Sequence, residues 1–199
     1  MIAHWRLDDL TGSVIASDSS GNDHTAAMNN FDYSTVWVEG QNGGALTFDG
    51  INDNVWIDSQ AAFNITGSFA ITFWAKTNDL EADLVRSGQF IVEADNGFVR
   101  ARAYIEGSWV NTPHVPFVMG EWNHYAAGYD GTKLRFYLNG TEVSAVSATG
   151  ALGWEGLNTF LYVGGQPPSR MSAGAFDDLR LFNRALTLQE LDEVYQLRD

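Results

Sequence analysis

The sequence predicts an all-β domain with one short C-terminal helix, and three observations carry that reading. Apolar and polar residues alternate with a period of two from end to end, the repeat of a half-buried strand rather than of a helix. Turn signals punctuate the alternation at Asp49-Gly50, Asp95-Asn96-Gly97, Asp130-Gly131 and Asn139-Gly140, all residues that tolerate positive φ. The composition, with 20 Gly, 4 Pro, 13% aromatic and 18% charged residues, suits many short strands joined by turns better than a helical bundle. With 199 residues and 45% hydrophobic content, the chain can bury a sizeable core. No repeat, low-complexity stretch or linker interrupts the pattern, so residues 1–199 read as a single domain.

The clearest strands can be given faces. In Phe69-Ala70-Ile71-Thr72-Phe73-Trp74-Ala75, Phe69, Ile71 and Phe73 share one face and Thr72 and Trp74 the other. Apolar groups on both sides predict a strand in a covered sheet. In Lys133-Leu134-Arg135-Phe136-Tyr137-Leu138, the set Leu134, Phe136, Leu138 alternates with Lys133, Arg135 and Tyr137, which predicts one wet face on the outside of the fold. Tyr125 to Tyr129, the turn Asp130-Gly131-Thr132 and Leu134 to Leu138 read as a hairpin, and Asn139-Gly140 opens the next. Near the C-terminus, Thr187-Leu188-Gln189-Glu190 forms a capping box and Leu186 can staple to Leu191. Leu188, Leu191 and Val194 then share one helix face, which is expected to cover an end of the fold.

Charge and missing motifs narrow the chemistry. A net charge of −14 and a pI near 4.4 repel phosphate backbones, so nucleic acid and anionic membranes are poor partners. There are no cysteines, which excludes disulfides, zinc-thiolate sites and cysteine nucleophiles. No run approaches 18 apolar residues, and Met1-Ile2-Ala3-His4-Trp5 lacks the regions of a signal peptide. An exported protein would therefore carry this chain as a piece of something longer. No His-Glu-x-x-His, Gly-x-Ser-x-Gly or phosphate-loop motif is present.

Several stretches together resemble the laminin-G-like jelly-roll family of the concanavalin A-like lectin and glucanase superfamily. His4-Trp5-Arg6-Leu7-Asp8-Asp9 is similar to the family's opening strand, and Asp18-Ser19-Ser20-Gly21-Asn22-Asp23-His24 to its Asp-Ser-Ser-Gly loop. Gly44 to Gly50 with Asp53, Phe69 to Lys76, Glu121 to Ala126, Leu134 to Gly140 and Phe176 to Leu186 complete the match over nearly the whole chain. The resemblance implies a sandwich of two antiparallel sheets, with the first and last strands paired and the Asp18 to His24 loop near Asp177 and Asp178. It also implies an extracellular or cell-surface module that binds a polysaccharide, a glycan or a protein surface; that the module is non-catalytic is expected from the missing acid triplet described below.

Calcium is the expected cofactor. It takes six to eight oxygens from carboxylates, amides, carbonyls and water, and the Asp18 to Asp23 loop offers them around a sharp glycine turn. By resemblance, Asp18, Asn22 and Asp177 are the expected ligands, with the His24 carbonyl and Asp178 as further candidates. The alternative is that Asp18, Ser19 and Asn22 make Asx and Ser turns while Asp177 pairs with Arg180 or caps a strand. The segment Asp49-Gly50-Ile51-Asn52-Asp53 reads as a turn held by its own side chains.

Glycan binding needs aromatic faces to stack on sugar rings and polar groups to reach hydroxyls. Trp109 lies in a polar loop, Trp37 and Trp154 lie in similar surroundings, and Arg102 and Tyr104 share one alternating face with Arg100. Trp109, Arg102, Tyr104 and Trp154 are therefore the candidate ligand residues, with Arg86 and Arg170 available if the glycan is anionic. Trp74 and Trp122 match core positions of the family. His124 is expected to pack and make a structural hydrogen bond, and neither His24 nor His114 sits in a catalytic motif. Hydrolases on this fold need two flanking carboxylates, usually in an alternating Glu-x-Asp-x-Glu strand. Glu93-Ala94-Asp95 and Glu81-Ala82-Asp83 both lack the third acid. A lyase using Tyr104 with Arg100 and Arg102, and a purely structural or protein-binding module, are the remaining alternatives. Asn64-Ile65-Thr66 and Asn139-Gly140-Thr141 match glycosylation acceptors, the second reading better as a turn.

Overall fold

The computed structural model describes residues 1–58, 63, 65–156 and 160–197, with the side chain of Asp58 left out; Asn64 of the first acceptor motif lies outside them. Seventeen strands and one helix are found among the described residues. In chain order these are β1 (Ala3–Trp5), β2 (Ile15–Ala16), β3 (Ala26–Asn29), β4 (Trp37–Glu39), β5 (Gly44–Asp49), β6 (Asn54–Asp58), β7 (Phe69–Thr77), β8 (Ala82–Ser87) and β9 (Phe90–Asp95). They continue as β10 (Phe98–Ile105), β11 (Ser108–Asn111), β12 (Val115–Pro116), β13 (Asn123–Tyr129), β14 (Lys133–Leu138), β15 (Thr141–Ser147), β16 (Phe160–Val163), β17 (Ala173–Phe182) and α1 (Leu188–Gln196).

Two antiparallel sheets form a sandwich, as the alternation and turn signals predict. One has the order β15-β14-β13-β7-β17-β5-β4, with β1 also on β17; the other runs β11-β10-β9-β8-β16-β6-β3-β2, with β12 on β10. The first and last strands pair, Ala3 to Trp5 opposite Leu181 to Leu179. Alternate residues of both sheets meet in one core, where Phe69 stacks on Phe90 at 4.8 Å, Phe73 on Tyr125 at 5.2 Å and Phe48 meets Phe176 edge-on at 4.9 Å. Each such side chain taken fully out of water contributes about 1.5–3 kcal/mol.

The expected hairpins form, β13 with β14 and β14 with β15. Asp130 Oδ1 accepts from the backbone N–H groups of Thr132 and Lys133 and so fixes the first turn. Asp49 Oδ1 likewise accepts from the N–H groups of Ile51, Asn52 and Asp53, so the Asp49–Asp53 segment is held by its own side chains.

Helix α1 is capped as predicted. Thr187 accepts from the N–H of Glu190, and the Glu190 carboxylate accepts from the N–H of Thr187. Its placement and its buried face differ from expectation. Rather than closing an end, α1 lies on the outer face of the eight-stranded sheet, where Leu191, with Leu186 beside it, packs on Ala126 and Tyr137. Tyr195 stacks on Trp74 at 5.6 Å. Leu188 is 68% exposed, whereas Tyr195, about two turns on, faces the sheet against Trp74. Tyr137 is consequently buried instead of wet, and both faces of β7 are covered.

Candidate functional site

Among the described residues no helix lies on the outer face of the nine-stranded sheet, and its strands turn polar and aromatic side chains outward. Along β10 the core takes Val99, Ala101, Ala103 and Ile105, which leaves Arg100, Arg102 and Tyr104 on the other face. The β10–β11 hairpin sets Trp109 directly opposite Tyr104 and Asn111 opposite Arg102. The Tyr104 and Trp109 rings meet edge-on at 5.3 Å, and the Arg102 guanidinium lies over the indole at 4.9 Å. Three of the four expected ligand residues are thus brought together. Trp154 sits between Gly153, bonded to the Tyr104 carbonyl, and Glu155, bonded to Trp109, and its side chain lines a narrow apolar pocket with Phe63, Phe90, Phe160 and Leu161 at the edge of the core.

A closed circuit of ion pairs fixes this patch. Arg170 bridges two buried carboxylates on neighbouring strands, Nε to Asp83 at 2.6 Å and Nη2 to Glu93 at 3.3 Å. Glu93 also receives Arg100 at 2.7 Å and faces Arg102 at 3.6 Å. From Arg102 the circuit passes through the Trp109 ring, whose Nε1 donates to Glu155 at 2.9 Å. Arg86 then joins Glu155 back to Asp83, at 3.1 and 3.0 Å. Asp83 and Glu93 face each other across β8 and β9, yet arginine engages both, an arrangement that holds a surface in shape. Sequence spacing revealed neither this pairing nor the role of Glu155.

The expected metal residues fall into two groups. Asp18 fills all four acceptor sites of its carboxylate: Oδ1 takes the N–H groups of His4 and Ser20, and Oδ2 the Ser20 hydroxyl and the His24 N–H. Burial alone would raise its pKa, but these donors outweigh it and bring it below the usual range. Asn22 donates to the Ile2 carbonyl at 2.7 Å, and the His24 carbonyl accepts from Trp5 Nε1 at 2.7 Å. These bonds bind the loop to β1 in the Asx-turn manner of the alternative reading.

Asp177 and Asp178 stand where β17 changes neighbours, β5 pairing up to Phe176 and β1 from Leu179 onward. A register shift occurs here, and Asp178 has φ +53°. Asp178 bonds His4 Nε2 at 2.6 Å and Arg180 at 2.9 Å, so Arg180 pairs with Asp178 and not with Asp177. Burial would raise Asp178, but His4 and Arg180 lower it. Asp177 Oδ2 accepts the N–H groups of Gln41 and Asn42 at 2.6 and 2.7 Å. Gly40 makes this approach possible, since a Cβ there would stand 2.3 Å from the Gly44 carbonyl oxygen and 2.6 Å from Asp177 Oδ2.

Asp177 Oδ1 is buried without a partner. Burial pushes this carboxyl up to about 7, with the like charges of Asp178 and Asp8 adding to the effect against the two amide donors. An orphaned carboxylate oxygen of this kind is one that a cation could satisfy. No group of three or more His, Asp or Glu side chains in metal-binding array occurs among the described residues.

The remaining tryptophans and His124 divide. Trp74 is buried under α1, and Trp37 lies in β4 opposite Leu46 against the core. Trp122 is only half-buried and lines an open hollow with Lys76 and Glu39, which differs from the expected core position. His124 is buried between Trp74 and Tyr195, and its backbone N–H donates to Asn139 Oδ1.

This architecture agrees with comparison to known proteins. A family model described as the concanavalin A-like lectin/glucanases superfamily matches residues 48–192. The chain belongs to this superfamily. The opening strand and the Asp18 to His24 loop precede the matched span. No curated protein matches the sequence. Among solved structures, domain 4 of AbnA, an extracellular arabinanase from Geobacillus stearothermophilus, in complex with arabinotriose, superposes with a TM-score of 0.73 at 19% identity, covering 98% of both chains. The binding domain of Paraclostridial Mosquitocidal Protein 1 matches with a TM-score of 0.75 at 15% identity, over 97% of this chain and 51% of that one. The receptor binding domain of botulinum neurotoxin mosaic serotype C/D matches with a TM-score of 0.77 at 13% identity, over 98% and 50%. The chain thus spans about half the length of the two toxin domains. At these identities the likeness establishes the fold.

Proposed function

We propose that this chain is a non-catalytic carbohydrate-binding module of an extracellular or cell-surface protein, and that calcium stabilises it. The observation that carries the reading is the uncovered face of the nine-stranded sheet. There Trp109, Tyr104 and Arg102 are held rigidly side by side, with Asn111 and Glu155 at hand to meet sugar hydroxyls. A platform fixed before the ligand arrives loses little entropy on binding. The arabinotriose complex of the AbnA domain supports a sugar ligand, and the receptor binding domain of the botulinum neurotoxin keeps a receptor as the alternative. Fold alone does not choose between them. The test is a glycan array with and without calcium, with Trp109→Ala as the control. Loss of glycan signal in the variant supports the reading, and an array silent for the wild type overturns it.

The calcium part rests on Asp177, whose Oδ1 is buried without a partner while Oδ2 takes the Gln41 and Asn42 amides. Calcium accepts main-chain and amide oxygens as well as carboxylates, so Asp177 with neighbouring carbonyls can form the shell. The Asp18 loop then braces β1 rather than supplying ligands. A cation bound only to the folded state raises stability by mass action, about 2.7 kcal/mol at a hundredfold excess over Kd. Melting in chelator followed by calcium restoration reads this directly; an unchanged melting temperature rejects the metal.

A further inference from the structure

A second region of the same sheet, sharing no residue with the Trp109 patch, has the shape and chemistry of a binding site. Strands β3, β6 and β16 floor an open cleft of about 430 Å³, within the size range of small-ligand sites. Its walls are Trp56, Phe160 and Tyr162, with Asn29, Asn30 and Asn54 along one side. The strand alternation produces this division: Val55 and Ile57 enter the core while Asn54 and Trp56 face the cleft, and Leu161 and Val163 enter while Phe160 and Tyr162 face it. Trp56 stands opposite both Ala27 and Tyr162. Its ring meets Phe160 edge-on at 5.1 Å, and Phe160 meets Tyr162 at 6.1 Å.

The polar groups are prepared for a ligand. Asn29 donates to Asn54 Oδ1 at 3.2 Å, and Asn30 donates to the Asn52 carbonyl at 3.0 Å. Those bonds hold both amides by their NH2 groups and do not use the Asn29 and Asn30 side-chain oxygens. Trp56 Nε1 and the Tyr162 hydroxyl likewise make no hydrogen bond among the described residues. Burial pushes the Tyr162 phenol up, so it stays a neutral donor.

We propose that this cleft is a separate carbohydrate site for an uncharged oligosaccharide, stacked on Trp56 and Tyr162 and hydrogen-bonded to the asparagine amides. Among the described residues no lining side chain is ionisable near neutral pH, and Arg86, opposite Tyr162 on β8, is already engaged by Asp83 and Glu155, so no unpaired cation there awaits a uronic acid or sulfate, and the net charge of −14 opposes any anion. No carboxylate lines it among the described residues. A peptide adding as a strand is excluded, because β3, β6 and β16 are already paired on both edges. What remains is a ligand with apolar ring faces and many neutral hydroxyls.

Calorimetric titration of the full chain with arabinotriose, cellotriose and mannotriose, and with trigalacturonate as the anionic control, tests this. At least one neutral trisaccharide is expected to bind and the anionic one not to. Trp56→Ala should weaken binding by about tenfold or more. Tyr162→Phe, which removes only a hydroxyl and leaves packing intact, should weaken it about threefold to tenfold. Trp109→Ala should leave this affinity unchanged, which separates the cleft from the patch proposed above. Absence of binding by all three neutral sugars overturns the proposal, as does tighter binding of trigalacturonate. Unchanged affinity in Tyr162→Phe together with loss in Trp109→Ala also overturns it, assigning the sugar to the other site.

Discussion

The two sheets present opposite outer faces. On the eight-stranded sheet, α1 buries Ala126, Tyr137 and Leu191 and closes Trp74 and His124 beneath Tyr195. On the nine-stranded sheet the same layer is left to solvent, and its aromatics stand among arginines, carboxylates and amides. Both faces carry large aromatic residues, so aromatic content alone does not mark a ligand surface. The difference lies in what satisfies them: a covering helix on one side, and on the other only side chains at their edges. A tryptophan such as Trp56 or Trp109 is therefore available for binding where Trp74 is not.

That contrast breaks most severely if the charged circuit is opened. Glu93 is 2% exposed and serves three arginines. Glu93→Ala should cost about 3 kcal/mol, the lower end for breaking a buried ion pair because its partners keep some contact with water. For a chain of this length the melting temperature should fall by roughly 6 to 12 °C. Calorimetry measures it, and binding at the Trp109 patch should fall with it. The covered face responds differently. Leu191→Ala removes a buried side chain from a small satellite cluster, so it should cost about 2 kcal/mol and leave sugar affinity untouched. A loss of affinity in that variant would show that the two faces are coupled through the sandwich.

The face contrast was partly legible in the sequence. Alternation at Leu134 to Leu138 and Arg100 to Tyr104 assigned inward residues correctly, because one face of a sheet must be apolar whatever lies on the other. Alternation is silent about a distant helix, which is why Tyr137 reads as wet and proves buried. The same rule applied to Asn54-Val55-Trp56-Ile57 and Phe160-Leu161-Tyr162-Val163 puts an aromatic row outside, but nothing local reveals that β6 and β16, a hundred residues apart, lie side by side. The circuit from Asp83 to Glu155 is hidden for the same reason: apart from Asp83 with Arg86, both in β8, its pairs join residues far apart in the sequence or on different strands. Asp177 could be singled out by resemblance, yet its partners Gln41 and Asn42 come from a turn that its own strand does not specify. The Asp18 loop reads as an oxygen-rich cage, and what the sequence does not show is that the Asp18 carboxylate takes the N–H groups of His4, Ser20 and His24 and the Ser20 hydroxyl.

This last distinction gives the smallest effect and one with a definite sign. Asp18 has a folded pKa below the ordinary carboxylate value, since its four donors outweigh burial. The unfolded chain then binds a proton at higher pH than the folded one. Stability from Asp18 is fully present above the unfolded value near 3.8 and is lost as pH falls through the lower folded value. Asp18→Asn keeps the shape but places an NH2 group against donors, so at neutral pH it should cost about 1 kcal/mol. Below the carboxylate range that difference should shrink, because the wild-type side chain is then protonated as well. Denaturant unfolding of both proteins at neutral and at acid pH measures the gap. If it grows on acidification, Asp18 is not the brace of β1 that its hydrogen bonds describe.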